Sequence, residues 1–281
     1  MVDFSKAFDV VDHAILFKKL SKLPLPDAAI NWFVSFFTER KQYLKIDGKL
    51  SLQQTINSSV VQGSGVGPMC YVIMESDLRT LSVLNKLCKY ADDTNLLVPS
   101  CSNIGADEEF ANIKQWVDNN RIKINIDMTR EIVFHRPSPK HFVYPAPVCG
   151  IDQVVVAKLL GIHISDSFTY CLHVNTVLKL CAQRLYLLRL LRNQGFCQHN
   201  LNIVFHAIVL SKLVYCLPVW GGFITAEQRG QINAFFKRAH RYRYCLQVHS
   251  IEALLDVADS RLFKAMQSNV HCTACILFDL L

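Results

Sequence analysis

Along the chain, apolar positions switch between helical and alternating rhythms, and the switches mark out its elements. Met1 to Phe4 read as the end of a buried strand. His13 to Leu23 and Asp27 to Glu39 carry apolar residues at helical spacing, the second with Trp32, Phe33, Phe36 and Phe37 and with Asp27 near its start. Gln42 to Ile46 alternates like a strand, and Asp47-Gly48 is a hairpin-type pair. A glycine-rich loop at Gln62 to Gly67 precedes Pro68 and an apolar helix expected to run to about Leu84. Proline suits the first helical turn, where its missing N–H costs nothing.

Leu87 to Tyr90 and Asn95 to Val98 predict short strands joined at Ala91-Asp92-Asp93-Thr94. An amphipathic helix follows at Glu108 to Asn119, then strands at Ile122 to Ile126 and Glu131 to Phe134. Pro137 to Pro147 contains four prolines and is the best boundary in the chain. Gln153 to Ile164 supplies one or two strands. Beyond it the rhythm is helical, at Leu172 to Arg192, Leu201 to Tyr215, Ala226 to Tyr242 and Ile251 to Met266. The reading is an α+β part over residues 1–147, a hairpin over 148–170 and a helical part over 171–281.

Composition changes this picture little. A chain of 281 residues with 51% hydrophobic content can fill a sizeable core, and 19% charged residues exclude a disordered polar chain. The formal net charge of +7 suits a polyanionic partner but also many other proteins. Eleven scattered cysteines, an odd number with no signal peptide ahead of them, predict free thiols in a nuclear or cytoplasmic setting. The apolar stretch from Ile203 to Ile224 is interrupted by His206, Ser211, Lys212 and Pro218. It reads as a buried helix with a following turn and not as a membrane span.

Candidate chemistry lies in three aspartates. Asp3 ends a strand in DFSKAFD, and Asp92 and Asp93 sit at a hairpin tip in KYADDTNLL. Adjacent carboxylates repel, and a divalent cation relieves the repulsion. A third carboxylate from a neighbouring strand would complete a site for two Mg²⁺ ions about 4 Å apart, able to activate a 3′-hydroxyl and stabilise a pyrophosphate leaving group. Taken alone, the Asp pair reads equally as a solvated turn. Asp3 and Asp92 are expected to converge on one metal site although 89 residues separate them (92 − 3).

Order and spacing add to this. QGSGVGP begins 59 residues after Asp3 (62 − 3), and Asp92 lies 30 after Gln62 (92 − 62). DFSKAFDVVDH, QGSGVGP and YADD resemble the three core motifs of reverse transcriptases, in that family's order and approximate spacing. AFDVVDH, YADDT, KLLGIHI and LVYCLPVWGG are similar to non-LTR retrotransposons of the jockey and CR1 type. The resemblance implies a palm, an antiparallel sheet with helices on one face, followed by a mainly helical thumb. It implies RNA-directed DNA polymerase activity with Mg²⁺ (or Mn²⁺), an RNA template, a DNA primer and deoxynucleoside triphosphates, and no membrane; oligomeric state is left open.

By the same resemblance, Asp3 and Asp92 are the principal metal ligands and Asp93 supports them. The backbone of Phe4, Ser5, Lys6 and Ala7 faces the triphosphate. Phe8 matches the aromatic gate that excludes a 2′-hydroxyl, and also reads as core. Gln62 and Gly63 match the loop that contacts nucleotide and template, where glycine lets backbone approach a ligand. Leu160-Gly161 in LLGIHI resembles the primer grip. Arg184, Arg189 and Arg192 on one long helix, and Lys237, Arg238 and Arg241 interleaved with aromatics, are candidate contacts to nucleic acid.

The match also departs from the family. In NIDMTREIVF, Asn125 and Thr129 match, but Met128 stands where the family's lysine assists pyrophosphate departure, a role a thioether cannot fill; Lys123 and Arg130 are near but out of register. Ser59 and the residue at position 60 depart from the usual Gly-Val-Pro lead-in. Only Met1 and Val2 precede Asp3, so the fingers subdomain and any endonuclease are expected to be missing, as in a fragment or decayed insertion, and the chain on its own is expected to bind primer–template weakly without extending it. The alternative reading is a catalytically inactive relic that only binds nucleic acid. His271, Cys272 and Cys275 offer an incomplete zinc set that Cys245 and His249 could in principle complete.

Overall fold

Asp12 precedes an apolar run, and its carboxylate accepts from the backbone N–H of Ala14 at 2.9 Å and of Ile15 at 3.1 Å. These bonds satisfy donors that a helix start leaves unpaired, so α1 runs over His13–Leu20. The computed structural model describes residues 1–61, 63–136 and 142–268. The chain divides into two compact units, Met1–Val133 with Val143–Val154, and Phe134–Phe142 with Val155–Leu281. Residues 148–154 thus pack with the first unit, and the hairpin after them packs with the helical one.

In the first unit, α1 and α2 (Asp27–Phe37) bury Leu16, Leu20, Phe33 and Phe37 in a core shared with Val2, Phe4, Tyr71, Phe110 and Trp116. Four two-residue strands follow: β1 (Lys41–Gln42), β2 (Lys45–Ile46), β3 (Lys49–Leu50) and β4 (Gln54–Thr55). They pair β1 with β4 and β2 with β3 around Asp47-Gly48, whose φ angles of 49° and 80° suit a tight hairpin. The single strand expected at Gln42 to Ile46 is broken because the Leu44 N–H donates to the Ser51 hydroxyl instead of to a ladder carbonyl.

Helix α3 (Gly67–Met74) stops ten residues short of the expected end at Leu84 (84 − 74). Two buried or half-buried ammonium groups terminate it. Lys19 Nζ donates to the Met74 carbonyl at 2.5 Å and to Asp77 Oδ1 at 2.6 Å. Lys89 Nζ donates to the carbonyls of Glu75 at 2.6 Å and Leu78 at 2.9 Å. Cations are favoured at a helix C-terminus, where carbonyls lack partners. Glu109, on α4 (Ala106–Asn119) and 1% exposed, then holds the next turn by accepting from the N–H groups of Leu81 and Ser82 and from the Asn85 amide.

The hairpin of β5 (Lys86–Tyr90) and β6 (Asp93–Leu97) follows, with β7 (Arg130–Glu131) paired to β8 (Asp152–Gln153). Among the described residues the strands form five two-stranded ladders, and the β7–β8 pair is parallel. Where the resemblance implies an antiparallel sheet, the unit holds small separate ladders among helices, four of the five in the described residues antiparallel. Met1 to Phe4 bridges β6 at Val2↔Thr94 and the Ile122 to Ile126 segment at Phe4↔Ile124, and Met1 exchanges backbone hydrogen bonds with Arg130. Pairing with the Ile122 to Ile126 segment does not extend past Phe4, because the Asp3 N–H is taken by the Thr129 hydroxyl and not by the Asn125 carbonyl.

The second unit begins with β9 (Val156–Leu159) and β10 (Ile162–Ser165), an antiparallel hairpin turning at Leu160-Gly161. Helix α5 (Cys171–Asn193) packs on α6 (Gln198–Phe205), which passes through a π turn at His206–Leu210 into α7 (Ser211–Val214). Short α8 (Leu217–Trp220), then α9 (Ala226–Arg241) and α10 (Ile251–Ser268), complete it. One helix was expected at Leu201 to Tyr215, and the π turn has a sequence cause. Leu201, Phe205, Val209 and Leu213 are all buried at an unbroken spacing of four, longer than an α-helical turn. A wider turn keeps them facing one core. Its carbonyls are met by side chains, Ile208 by Arg184, Ala207 by the Ser211 hydroxyl and Val209 by the Cys181 thiol.

Gln198–Phe223 is long and apolar enough to cross a membrane by length and composition, as core helices of soluble proteins also can be; 33% of its most apolar window is buried in this unit. His271, Cys272 and Cys275 lie outside the described residues. Cys245 is buried, and the His249 ring stacks on Phe205 with centroids 6.1 Å apart.

His173 on α5 is 3% exposed, lies edge-on to Trp220 at 5.3 Å, and leaves Nδ1 without a partner. Burial, then the nearby His163, push its pKa down to about 4. The unfolded chain therefore binds a proton near pH 6.5 that the folded chain refuses until about pH 4, so this contribution falls as pH drops through that window. Urea midpoints should show about 1 kcal/mol of stability lost between pH 7.5 and 5.5 that His173→Phe abolishes. A second expectation concerns Ser59, whose φ of 88° lies in the region that favours glycine. Ser59→Gly should raise stability by about 1 kcal/mol, read from the same denaturation curves; a loss would mean the Ser59 side chain is needed there.

Candidate active site

Val2 and Phe4 are buried at 6% and 3% exposure, so strand alternation turns Asp3 to the opposite face. On β6, Thr94 is buried at 1%, which turns Asp93 to that same opposite face. The Val2 N–H donates to the Thr94 carbonyl at 2.7 Å, and this antiparallel register sets Asp3 opposite Asp93. The turn between Tyr90 and Asp93 is two residues, Ala91-Asp92, with Ala91 at φ 52°. It is tighter than the four-residue link expected, and Asp93 and Thr94 belong to the ladder.

Asp3 is braced from its other side. Its carbonyl accepts from the Asn125 N–H at 2.8 Å, and its N–H donates to the Thr129 hydroxyl at 3.2 Å, which itself donates to the Asn125 carbonyl. Asn125 and Thr129 are the two residues of their block that match the family, and here they fix Asp3. Met128 between them is 63% exposed. Arg130 makes a 3.5 Å ion pair with Asp152, and the Lys123 carbonyl accepts from the Ser5 N–H.

The Asp93 carboxyl is pushed above its ordinary range by desolvation first, then by the charges of Asp92 and Asp3. Among the described residues, however, no group of three His, Cys, Asp or Glu side chains is gathered closely enough to hold a metal ion. The backbone register sets Asp3 and Asp93 at facing positions of neighbouring strands, with Asp92 in the adjoining turn.

Phe8 stands beside this edge. Lys6 at φ 50° turns the chain, Ala7 is buried, and the Phe8 ring stacks on Tyr71 of α3 at 4.8 Å and 30°. The Phe8 carbonyl accepts from the Val60 N–H at 2.8 Å, and His13 Nε2 lies 2.7 Å from the Ser59 carbonyl. These contacts deliver the glycine-rich loop next to Phe8. Gln62 lies outside the described residues. Gly63 has φ 81° with open space around it, so conformation and not crowding requires glycine there. At Gly67 a Cβ would stand 3.1 Å from the Val61 carbonyl, so there the close approach matters.

Sequence reasoning missed the residues behind this edge. Tyr71 is fully buried and Glu75 is 2% exposed, and the Tyr71 hydroxyl and the Glu75 carboxyl have only each other to interact with, beyond close hydrogen-bond range. Burial pushes the Glu75 carboxyl up to about 7; Tyr71 and Lys89 pull it back, and Asp92 pushes it further up. The Tyr71 phenol is raised by burial, then by Glu75, Asp92 and Asp3. The available signal was a lone carboxyl closing the apolar run of α3, which burial makes costly unless something meets it.

In the second unit, the Leu160-Gly161 turn has φ angles of 45° and 88°, and the Tyr215 hydroxyl donates to the Leu160 carbonyl at 2.8 Å. Lys237, Arg238 and Arg241 line an open groove of 570 Å³ floored by Leu178, Ala234 and Phe235. The three arginines of α5 do not act as one stripe. Arg184 is committed to the Ile208 carbonyl, Arg192 donates to the Tyr242 carbonyl at 3.0 Å, and Arg189 lies 5.0 Å over the Tyr186 ring.

The sequence is similar to those of known proteins. Residues 1–164 match the family described as reverse transcriptase (RNA-dependent DNA polymerase). The chain is 27% identical over 236 residues to a probable RNA-directed DNA polymerase from transposon BS of Drosophila melanogaster, covering 78% of this chain and 26% of that protein. It is 26% identical to the RNA-directed DNA polymerase from mobile element jockey of the same species, over 78% of this chain and 25% of the relative. A putative 115 kDa protein in the type-1 retrotransposable element R1DM is 23% identical over 81% of this chain and 22% of its own length. The chain thus spans about a quarter of the length of the curated relatives it matches. With more than half of its length matched, it belongs to the reverse transcriptase (RNA-dependent DNA polymerase) family.

Proposed function

We propose that this chain is the polymerase part of a retrotransposon reverse transcriptase, adding deoxynucleotides to a DNA 3′ end on an RNA template. The observation that carries the reading is the register of Val2 on Thr94, which sets Asp3 opposite Asp93 beside the Asp92 turn. Carboxylate oxygens suit Mg²⁺, with Mn²⁺ as a substitute, and the upward push on Asp93 by its neighbours is the excess negative charge a dication would neutralise. Asp3, Asp92 and Asp93 would hold two such ions, which supply activation of the 3′-hydroxyl and charge stabilisation at the departing pyrophosphate.

The chain's own residues do the rest. The backbone from Phe4 to Ala7 and the loop at Gln62-Gly63 receive the triphosphate. Phe8, held flat against Tyr71, takes the space a 2′-hydroxyl needs. In the helical unit, Lys237, Arg238 and Arg241 meet phosphates along their groove, and Leu160-Gly161 supports the primer. Arg184 serves the fold, since its guanidinium satisfies a π-turn carbonyl. One observation favours a second reading, a relic that only binds nucleic acid. Met128 is exposed where the family's lysine would act, and Arg130 is paired with Asp152 instead.

Primer extension on an RNA template with Mg²⁺, beside filter binding across a salt series, separates the two. The polymerase reading expects extension that Asp92→Asn reduces by roughly a thousandfold while binding persists. Binding should fall steeply with salt, and Arg241→Gln should flatten that dependence whereas Arg184→Met lowers stability instead. Salt-sensitive binding without extension supports the relic, and recovery of extension by Met128→Lys would then locate the defect.

A further inference from the structure

Behind the aspartates lies a buried polar group to which the two-metal reading gives no role. Tyr71 and Glu75 are four residues apart on one face of α3 and its end, and both are almost wholly out of solvent. Tyr71 presents its ring to Phe8 at 4.8 Å. Lys89, three residues before Asp92 (92 − 89), reaches from β5 to the Glu75 carbonyl at 2.6 Å and the Leu78 carbonyl at 2.9 Å. One end of the group therefore backs the residue read as the sugar gate, and the other fastens the hairpin whose tip carries Asp92 and Asp93. The Tyr71 hydroxyl and the Glu75 carboxyl face each other within this group, loosely matched polar atoms that an ordinary packing core would not retain. A fold that needed only to fill this space would do so better with apolar side chains.

We propose that Tyr71, Glu75 and Lys89 are positioning residues that tie Phe8 and the Asp92-Asp93 tip to one helix, so that metal affinity and sugar selectivity depend on the same group. This rests on the polymerase reading above. A merely structural role predicts lower stability alone; a positioning role predicts that disturbance at either end is felt at the other.

The test uses the full chain and Mn²⁺ as the probe, with bound metal read by electron paramagnetic resonance. Displacement of a fluorescent deoxynucleotide by dATP or by ATP from the Mn²⁺-loaded chain gives sugar preference. Lys89→Met should weaken Mn²⁺ binding about tenfold, the usual cost of losing a group that orients a metal ligand, and should also reduce the preference for dATP. Tyr71→Leu, made at the opposite end, should lower the preference and weaken Mn²⁺ as well. Lys89→Arg should keep both, and Glu75→Gln should shift both together without loss of helical signal, which carries the test if Lys89→Met does not fold. Variants that each change only their own readout overturn this proposal while Asp92→Asn still abolishes tight Mn²⁺ binding. If Asp92→Asn binds Mn²⁺ as the wild type does, the polymerase reading falls and this proposal with it.

Discussion

Cations at the end of α3 are the constraint on which the first unit depends. A short apolar helix ending inside a protein leaves carbonyls that must find donors, and Lys19 and Lys89 supply them from α1 and from β5. Because both lysines come from distant parts of the sequence, closing this one helix fixes α1 and the hairpin against it. Asp77 then accepts from Lys19 and from the Trp116 indole, which brings in α4. Burial lowers the pKa of both ammonium groups, and the carboxylates of Asp77 and Glu75 oppose that shift. The arrangement works only while charges and carbonyls stay matched.

From that anchor the candidate site follows by short steps. Lys89 fixes β5, β5 fixes β6, and β6 offers Thr94 to Val2. Asp3 is then held between the hairpin and the Asn125–Thr129 segment, each of its backbone polar groups on that side engaged. Rigid support of this kind suits the metal chemistry proposed above, since small displacements of a reacting group lose large factors in rate. Phe8 enters through the same helix, by its stack on Tyr71. The helical unit solves a separate problem, closing a core around an apolar run with period four, and it uses Arg184, Cys181 and Ser211 to satisfy the π turn that results.

What the sequence determined by itself was local or carried by order along the chain. Asp12 capping α1, the Asp47-Gly48 turn, the tip at Asp92 and the helices after Leu172 rest on contacts within a few residues, where residue type dictates geometry. The three motifs in order were enough to name the family. Tertiary structure alone decided where α3 stops, because the lysines that end it lie far away in sequence. It decided that Met1 to Phe4 and Ile122 to Ile126 pair at a single bridge and not as a ladder, because a threonine side chain took the Asp3 N–H. It separated Arg184, spent on a carbonyl, from Lys237, Arg238 and Arg241, open to solvent in one groove, although composition made them alike. And it revealed Tyr71, Glu75 and Lys89 as one group, since burial and long-range neighbours, which give those residues their meaning, are written in no local pattern.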